Sequence, residues 1–394
     1  LVTVGESRSA GIQRAGRAGR EGPGAVYRCC SPVDWARAPQ APTPEILSAD
    51  LTRVALELAV WGAPGGADLA WIDPPPAPAM EAAHRTLTHL GLLNGGAGAS
   101  ASPLSATALG RAVARIPTEV RLARALLIAR GIMGAKRAAE ATALLSTGLR
   151  PPGGDLTALA RSVRDGGTHT GMWRAEARRL ERAAERLGAR DASLDAATAT
   201  PTTLAEAVAL VSALARPEWI AHRRGPRPAA GSQASYASVG GAGLRTARAS
   251  VLGSSPWLAV ADVDAALGRG EAVVRAAAPI DEALALSVGE PWLVEEDRTV
   301  WARGRLRSER RRRLGAIILT TTPGGTPSPG AATDAVAEAC RTEGLDVLPW
   351  GEAAELRARL ALLNRELGEP WPAMDDGALL DRAEQWLLPA AEAI

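Results

Sequence analysis

The 394-residue sequence predicts a multidomain protein, mainly α with smaller β parts. A chain of this length holds about two to four domains, and 46% apolar residues are enough to build their cores. Apolar positions recur with helical spacing from Pro117 to about Pro217. Between about Glu218 and Leu319 the period shortens to that of strands, with turn residues at close intervals. After Pro323–Pro329 the pattern is helical again.

Taken in order, residues 1–40 hold a predicted strand at Leu1–Val4, a helix across Gln13–Arg20 and a second strand around Ala25–Cys29. That is too little chain to close a sheet, so the segment is expected to begin inside a domain of a longer protein. Arg37–Pro44 is a Pro-rich linker. In residues 41–116 a helix is predicted from about Asp50 to Trp61, with Leu51, Val54, Ala55 and Leu58 on one face. Pro74-Pro75-Pro76 enforces a stiff turn, a second helix runs from about Pro78 to Leu92, and a Gly-rich tract leads to a short strand near Leu104. Two helices, a loop and a short strand suggest a small winged helix.

Residues 117–217 read as a helical bundle. One of its helices, Trp173–Arg190, alternates Arg and Glu, as a solvated charged face or as contacts to a nucleic-acid backbone. Residues 218–322 offer strands at Ser235–Val239, Ala247–Leu252, Trp257–Ala261, Ala272–Ala278, Leu293–Glu296 and Thr299–Leu306, the makings of a small barrel or sandwich. Residues 323–394 form a C-terminal helical extension.

The motif that organises this reading is Gln13-Arg14-Ala15-Gly16-Arg17-Ala18-Gly19-Arg20. On a continuous helix Gln13, Arg17 and Arg20 fall at i, i+4 and i+7, on one stripe. Each glycine costs about 1 kcal/mol against alanine in a helix interior, so helix propensity does not explain the pattern. Guanidinium groups present planar, permanently charged donors that suit phosphate. Arg14 points about 100° away from Gln13 and is expected to make a structural ion pair.

The motif resembles the QRxGRxGR signature of DEAH-box helicases. The stretches Pro44-Glu45-Ile46-Leu47-Ser48-Ala49-Asp50-Leu51 and Leu69-Ala70-Trp71-Ile72-Asp73-Pro74-Pro75-Pro76 are similar to the HrpB subfamily of ATP-dependent RNA helicases, as are Pro256-Trp257-Leu258 and Arg312-Arg313-Leu314-Gly315-Ala316. The resemblance implies that 1–40 is the C-terminal edge of the second RecA-like domain, that 117–217 is the ratchet bundle, and that 218–322 is an OB-like barrel. It also implies that Arg17 and Arg20 are arginine fingers toward the β/γ-phosphates of ATP, with Gln13 at the γ-phosphate or attacking water. ATP and Mg²⁺ would belong to the full-length enzyme, and RNA and the upstream RecA-like domains would be the partners; the cysteine usage separately suggests a reducing, cytoplasmic setting.

A motor also needs a phosphate-cradling Lys loop and an acidic box. The G-x-x-x-x-G-K-[ST] loop is absent, because Lys136 is the sole lysine and Arg137 follows it. Asp281-Glu282-Ala283-Leu284 mimics an acidic box in the wrong place and without the His. By itself the chain is therefore expected to bind no ATP and hydrolyse none. The alternative is a standalone nucleic-acid-binding or partner-docking module.

A net charge of +2 supplies no global pull on nucleic acid, so any basic surface must be local. The strongest candidate is Arg303, Arg305 and Arg307, which alternate onto one face of a strand and continue into Arg310–Arg313; Arg311 joins them as a candidate RNA contact. A charged strand edge guarding against unwanted pairing is the competing reading. Arg216, Arg223, Arg224 and Arg227 form a looser cluster, either linker or ligand. The barrel region offers Tyr236, Trp257, Trp292 and Trp301 as stacking platforms. Cys29, Cys30 and Cys340 fit neither a disulfide framework nor a zinc spacing, the four histidines make no ligand set, and no apolar run is long enough to span a bilayer. No metal site and no membrane are expected.

Overall fold

Helix starts are marked by side-chain oxygens. Ser7, Ser31, Thr107, Asp155, Thr203, Asp281, Ser328 and Asp375 each accept a hydrogen bond from a backbone N–H in the first turn that follows. The computed structural model describes residues 5–66, 68–95, 104–187, 200–229, 231–264, 270–302, 305–326, 328–382 and 385–386. Two compact units divide the chain, 1–124 and 125–394.

In the first unit, α1 (Arg8–Ala18) and α2 (Pro32–Arg37) precede α3 (Thr52–Trp61) and α4 (Ala77–His89). A two-residue ladder joins β1 (Leu93–Asn94) to β2 (Ser105–Ala106), and α5 (Ala108–Ala114) follows. The core is Leu51, Leu56, Met80, Leu87, Leu92, Val113 and Ile116, all buried. Arg53 on α3 ties this group together. Its guanidinium donates to Glu57 at 2.6 Å and to the carbonyls of Ala114 at 2.7 Å and Ile116 at 3.1 Å, satisfying orphan acceptors past the end of α5. The predicted strand at Leu1–Val4 lies outside the described residues. The strand predicted at Ala25–Cys29 does not form, since that stretch joins no ladder among the described residues.

The unit boundary falls within α6 (Val120–Met133). Helices α7 (Ala135–Ser146), α8 (Leu156–Arg164), α9 (Thr170–Glu185) and α10 (Leu204–Ala215) follow. Ten of the twelve residues of α10 are buried, because it packs on α7 and α8 on one side and on the barrel strands on the other. Its start carries a full capping box, with Thr203 bonded to the Glu206 N–H and the Glu206 carboxylate reaching back.

The barrel strands are β3 (Ile220–Arg223), β4 (Ser235–Ser238), β5 (Gly243–Arg245), β6 (Trp257–Asp264) and β7 (Ala272–Ile280). They close in the order β3-β4-β5-β7-β6, with β6 returning to β3; β5 and β7 are parallel and every other pair is antiparallel. The strand predicted at Ala247–Leu252 is instead a turn, with Ala249 at φ 56°, followed by a short 3₁₀ segment at Val251–Ser254. Tyr236 fills the barrel centre among Leu244, Leu252, Leu258, Val260 and Val274. Its hydroxyl lies 2.8 Å from the carbonyl oxygens of both Leu252 and Ser255.

After α11 (Glu282–Val288) come β8 (Leu293–Ala302), β9 (Arg305–Leu314) and β10 (Ile317–Pro323), an antiparallel sheet ordered β10-β9-β8. The strands predicted at Leu293–Glu296 and Thr299–Leu306 are a correction: the first stretch continues unbroken to Ala302, and the arginine run is a strand of its own. Gly315 fastens this sheet to the barrel. It sits at φ 56°, and a Cβ there would fall 2.3 Å from the Val239 carbonyl oxygen. Helices α12 (Pro329–Glu343), α13 (Ala353–Leu367) and α14 (Asp376–Leu380) follow, with Val336, Cys340, Leu345 and Leu379 packed against Trp301 and Leu306.

Burial pushes the Tyr236 phenol up to about 12. The unfolded phenol titrates near pH 10. Stability from Tyr236 is therefore complete below about pH 10 and is lost as pH rises through about 12, a total of roughly 3 kcal/mol. In a Tyr27→Phe background Tyr236 is the sole tyrosine, and phenolate absorbance should report its ionisation and coincide with barrel unfolding. Titration near pH 10 in the folded protein would contradict the burial.

Candidate nucleotide and nucleic-acid interfaces

Ser7 opens α1, and the helix ends at Ala18 with Gly19 as its cap. The end is enforced by the chain folding back: a Cβ on Gly24 would lie 1.9 Å from the Ala18 carbonyl oxygen. Gln13 and Arg17 therefore share a helical face as expected, but Arg20 stands beyond the helix and leaves the stripe. All three side chains are exposed, and none has an ion-pair or hydrogen-bond partner among the described residues. Arg14 pairs with Glu6 at 2.8 Å, the structural ion pair its angular position predicts. The small residues also sort by contact. A Cβ on Gly11 would collide with the Trp35 ring at 2.7 Å, whereas one on Gly16 meets nothing within 4 Å.

The arginine strand is more crowded with acids than its sequence suggests. Arg303 lies outside the described residues. Alternation along β9 puts Arg305, Arg307, Glu309, Arg311 and Arg313 on one face. Arg311 donates through Nε and a terminal nitrogen to Glu309, at 3.1 and 2.8 Å, with only 18% of its side chain exposed. Arg313 pairs with Glu296 at 3.0 Å across the strands. On the opposite face Arg310 meets Asp297 at 2.9 Å, holding that carboxyl below its usual range, and Arg312 lies 3.9 Å from Glu295. Only Arg305 and Arg307 stay exposed with no acidic partner among the described residues.

The expected stacking platforms are mostly absorbed by packing. Tyr236 and Trp257 are core residues, and Trp301 donates to the Val347 carbonyl at 3.1 Å within the C-terminal cluster. Trp292 is half-buried. In the looser cluster Arg223 is spent on the carbonyls of Gly253 and Ser254, and Arg224 lies 3.6 Å from Glu271. Asp281 caps α11 through the Leu284 N–H at 2.8 Å, a structural use that accounts for the false acidic box. Burial lowers the pKa of His84 and of His222, whose ring lies 4.4 Å from that of Trp257. Among the described residues no group of three His, Cys, Asp or Glu could hold a metal ion, and no helix is long and apolar enough to cross a membrane.

One cluster had no strong signature. A cleft of about 560 Å³ between α7 and α9 is lined by Lys136, Arg164, Arg174 and Arg178, with Glu140, Glu181 and the buried Trp173. The sequence signal was the like-charged pair Arg174 and Arg178 at i, i+4, a spacing that is mildly destabilising in an isolated helix.

No family model matches the chain. It is 32% identical over 400 residues to "ATP-dependent RNA helicase HrpB" of Escherichia coli K12, an alignment covering 99% of this chain and 45% of that protein. Shorter stretches match "ATP-dependent RNA helicase HrpA" of the same organism (33% identity, 31% of this chain, 9% of that protein) and a pre-mRNA-splicing helicase, prp22, of Schizosaccharomyces pombe (33%, 32% of this chain, 10% of that protein). Two crystal structures of E. coli HrpB match the fold with TM-scores of 0.64 and 0.62, at 29% and 28% identity, each over 99% of this chain and 45% and 46% of theirs. The chain thus spans less than half the length of these relatives. Along nearly its whole length it is similar to HrpB, as a C-terminal portion of a DEAH-box protein of that kind would be.

Proposed function

We propose that the chain is the C-terminal part of an HrpB-like helicase that couples ATP hydrolysis to movement along RNA and to its unwinding. The observation that carries this reading is the 32% identity to E. coli HrpB in an alignment that covers 99% of the chain. Residues 1–40 are then the edge of the second RecA-like domain, 41–116 a winged helix, 117–217 the ratchet bundle, 218–322 an OB-like barrel and 323–394 a C-terminal extension. The strand order β3-β4-β5-β7-β6 supports the OB-like reading. The protein works in the cytoplasm.

Within that enzyme Gln13, Arg17 and Arg20 face a nucleotide held by residues outside this chain. Bound Mg-ATP supplies the phosphoanhydride bond to be broken. Arg17 and Arg20 offer exposed, permanently charged donors without competing carboxylates among the described residues, which fits the developing charge on a transferring phosphoryl group. Because Arg20 stands off the helix, the two guanidinium groups approach from different backbone segments. Gln13 orients the attacking water. Arg305 and Arg307 contact the RNA backbone, whereas Arg311 serves mainly to neutralise Glu309.

In a full-length protein carrying this chain, Arg17→Ala or Arg20→Ala should lower RNA-stimulated ATP hydrolysis by about 10³ to 10⁵ with RNA affinity retained. Activity within a few-fold of the parent would remove them from the site. For RNA contact, the slope of log affinity against log salt should fall by roughly 0.7 for each of Arg305→Ala and Arg307→Ala. Arg311→Ala should leave it nearly unchanged. Equal slopes in all variants would take β9 out of the RNA path.

A further inference from the structure

We propose that the cleft between α7 and α9 is a binding site for a phosphate-rich polyanion. It goes beyond the finger motif and the β9 arginines and depends on neither. Four cations from three helices line it: Lys136 near the start of α7, Arg164 in the last turn of α8, and Arg174 and Arg178 one turn apart on α9. Each of the four is exposed. Glu140 and Glu181 offset half of that charge, leaving an excess of two positive charges in about 560 Å³, a volume suited to a small ligand or a short stretch of backbone.

What separates this cluster from an ordinary solvated face is how its charges are left. Lys136 and Glu140 stand at i, i+4, and Arg178 and Glu181 at i, i+3, spacings at which helical ion pairs form. Neither pair closes to within 4 Å, and among the described residues none of the four cations has an ion-pair partner. The same helix shows the ordinary outcome one turn away: Arg179 grips Glu176 at 2.6 Å and lowers that carboxyl's pKa. The wall is rigid, because Trp173 is buried and donates its indole N–H to the Glu140 carbonyl at 2.8 Å. Like charges held open on a fixed wall are arranged for a multivalent anion. Three guanidinium forks and one ammonium point to phosphate groups spaced along a chain. Such phosphates come from a nucleic-acid backbone or from a free polyphosphate, and the chemistry of the cleft is common to both.

The chain has a single lysine, and it lies in the cleft. Acetylation by an N-hydroxysuccinimide ester, read by peptide mass, therefore reports on the site in the intact 394-residue protein. Inorganic triphosphate and an oligouridylate of about ten nucleotides are the two probes. At roughly ten times its dissociation constant, a bound probe should slow Lys136 acetylation about tenfold. Arg174→Ala with Arg178→Ala should abolish the protection, and Glu181→Gln should strengthen it. Protection by triphosphate but not oligouridylate at equal phosphate assigns the site to free polyphosphate; the reverse assigns it to nucleic acid. Unchanged acetylation with both probes, or protection that survives the double arginine variant, overturns the proposal. Arg305→Ala with Arg307→Ala leaves Lys136 protection intact, so failure of the β9 reading is distinguishable from failure here.

Discussion

Helix α10 is the element on which the second unit depends. A helix with ten of twelve residues buried cannot be held by one neighbour, and α10 touches α7 and α8 on one side and β6, β7 and α11 on the other. Its composition explains how both sides fit. Leu204, Val208, Leu210, Val211 and Leu214 supply bulk, and each buried Val or Leu contributes about 1.5 to 3 kcal/mol. Ala207, Ala209, Ala213 and Ala215 leave room for neighbouring backbones to approach closely. Ser212, buried in this apolar setting, returns its hydroxyl to the Val208 carbonyl at 2.7 Å and so leaves no donor unsatisfied. Bundle and barrel are joined through this shared core, which fixes the α7–α9 cleft and the barrel within one unit.

Against that frame, the disposition of arginine decides what is structural and what is open. Lys and Arg number 45 against 43 acids, so most guanidinium groups have a carboxylate or carbonyl to claim. Arg53 claims the end of α5, Arg14 claims Glu6, and Arg311 and Arg313 claim Glu309 and Glu296. The exposed pair of Arg14 with Glu6 adds little stability, but every such contact removes a cation from the set available to a ligand. The cations left without partners among the described residues include Arg17 and Arg20 of the motif, Arg305 and Arg307 on the outer part of β9, and the group in the cleft around Lys136, beside scattered arginines such as Arg37, Arg115 and Arg248. Local electrostatics, with a net charge of only +2, therefore selects the sites that composition leaves undefined.

The helices were legible because their signals are local. The apolar spacing of Leu51, Ala55 and Leu58 places α3 within two residues of its bounds. The mainly α character and the barrel followed from period and turn spacing. Misreadings arose where tertiary contact overrides period. Arg20 fits an i+7 stripe only if the helix continues, and the glycines at 19, 22 and 24 that end it were visible in sequence as punctuation. The arginine run was read as the tail of one strand because its pairing with β8 is a long-range fact. Tyr236 looks the same in sequence whether it stacks on a base or fills a barrel. The cleft was legible only in part: the Arg and Glu alternation of α9 allowed nucleic-acid contact, but only the convergence of α7, α8 and α9 gathers the charges of the site.

In the proposed function the motif arginines reach for a nucleotide whose other contacts lie outside these 394 residues. Equilibrium titration of the isolated chain with a fluorescent ATP analogue, followed by anisotropy, tests this most directly. The account predicts no saturable binding that depends on Arg17 or Arg20. Stoichiometric binding by the isolated chain, lost in Arg17→Ala, would contradict it and make the motif a complete nucleotide site.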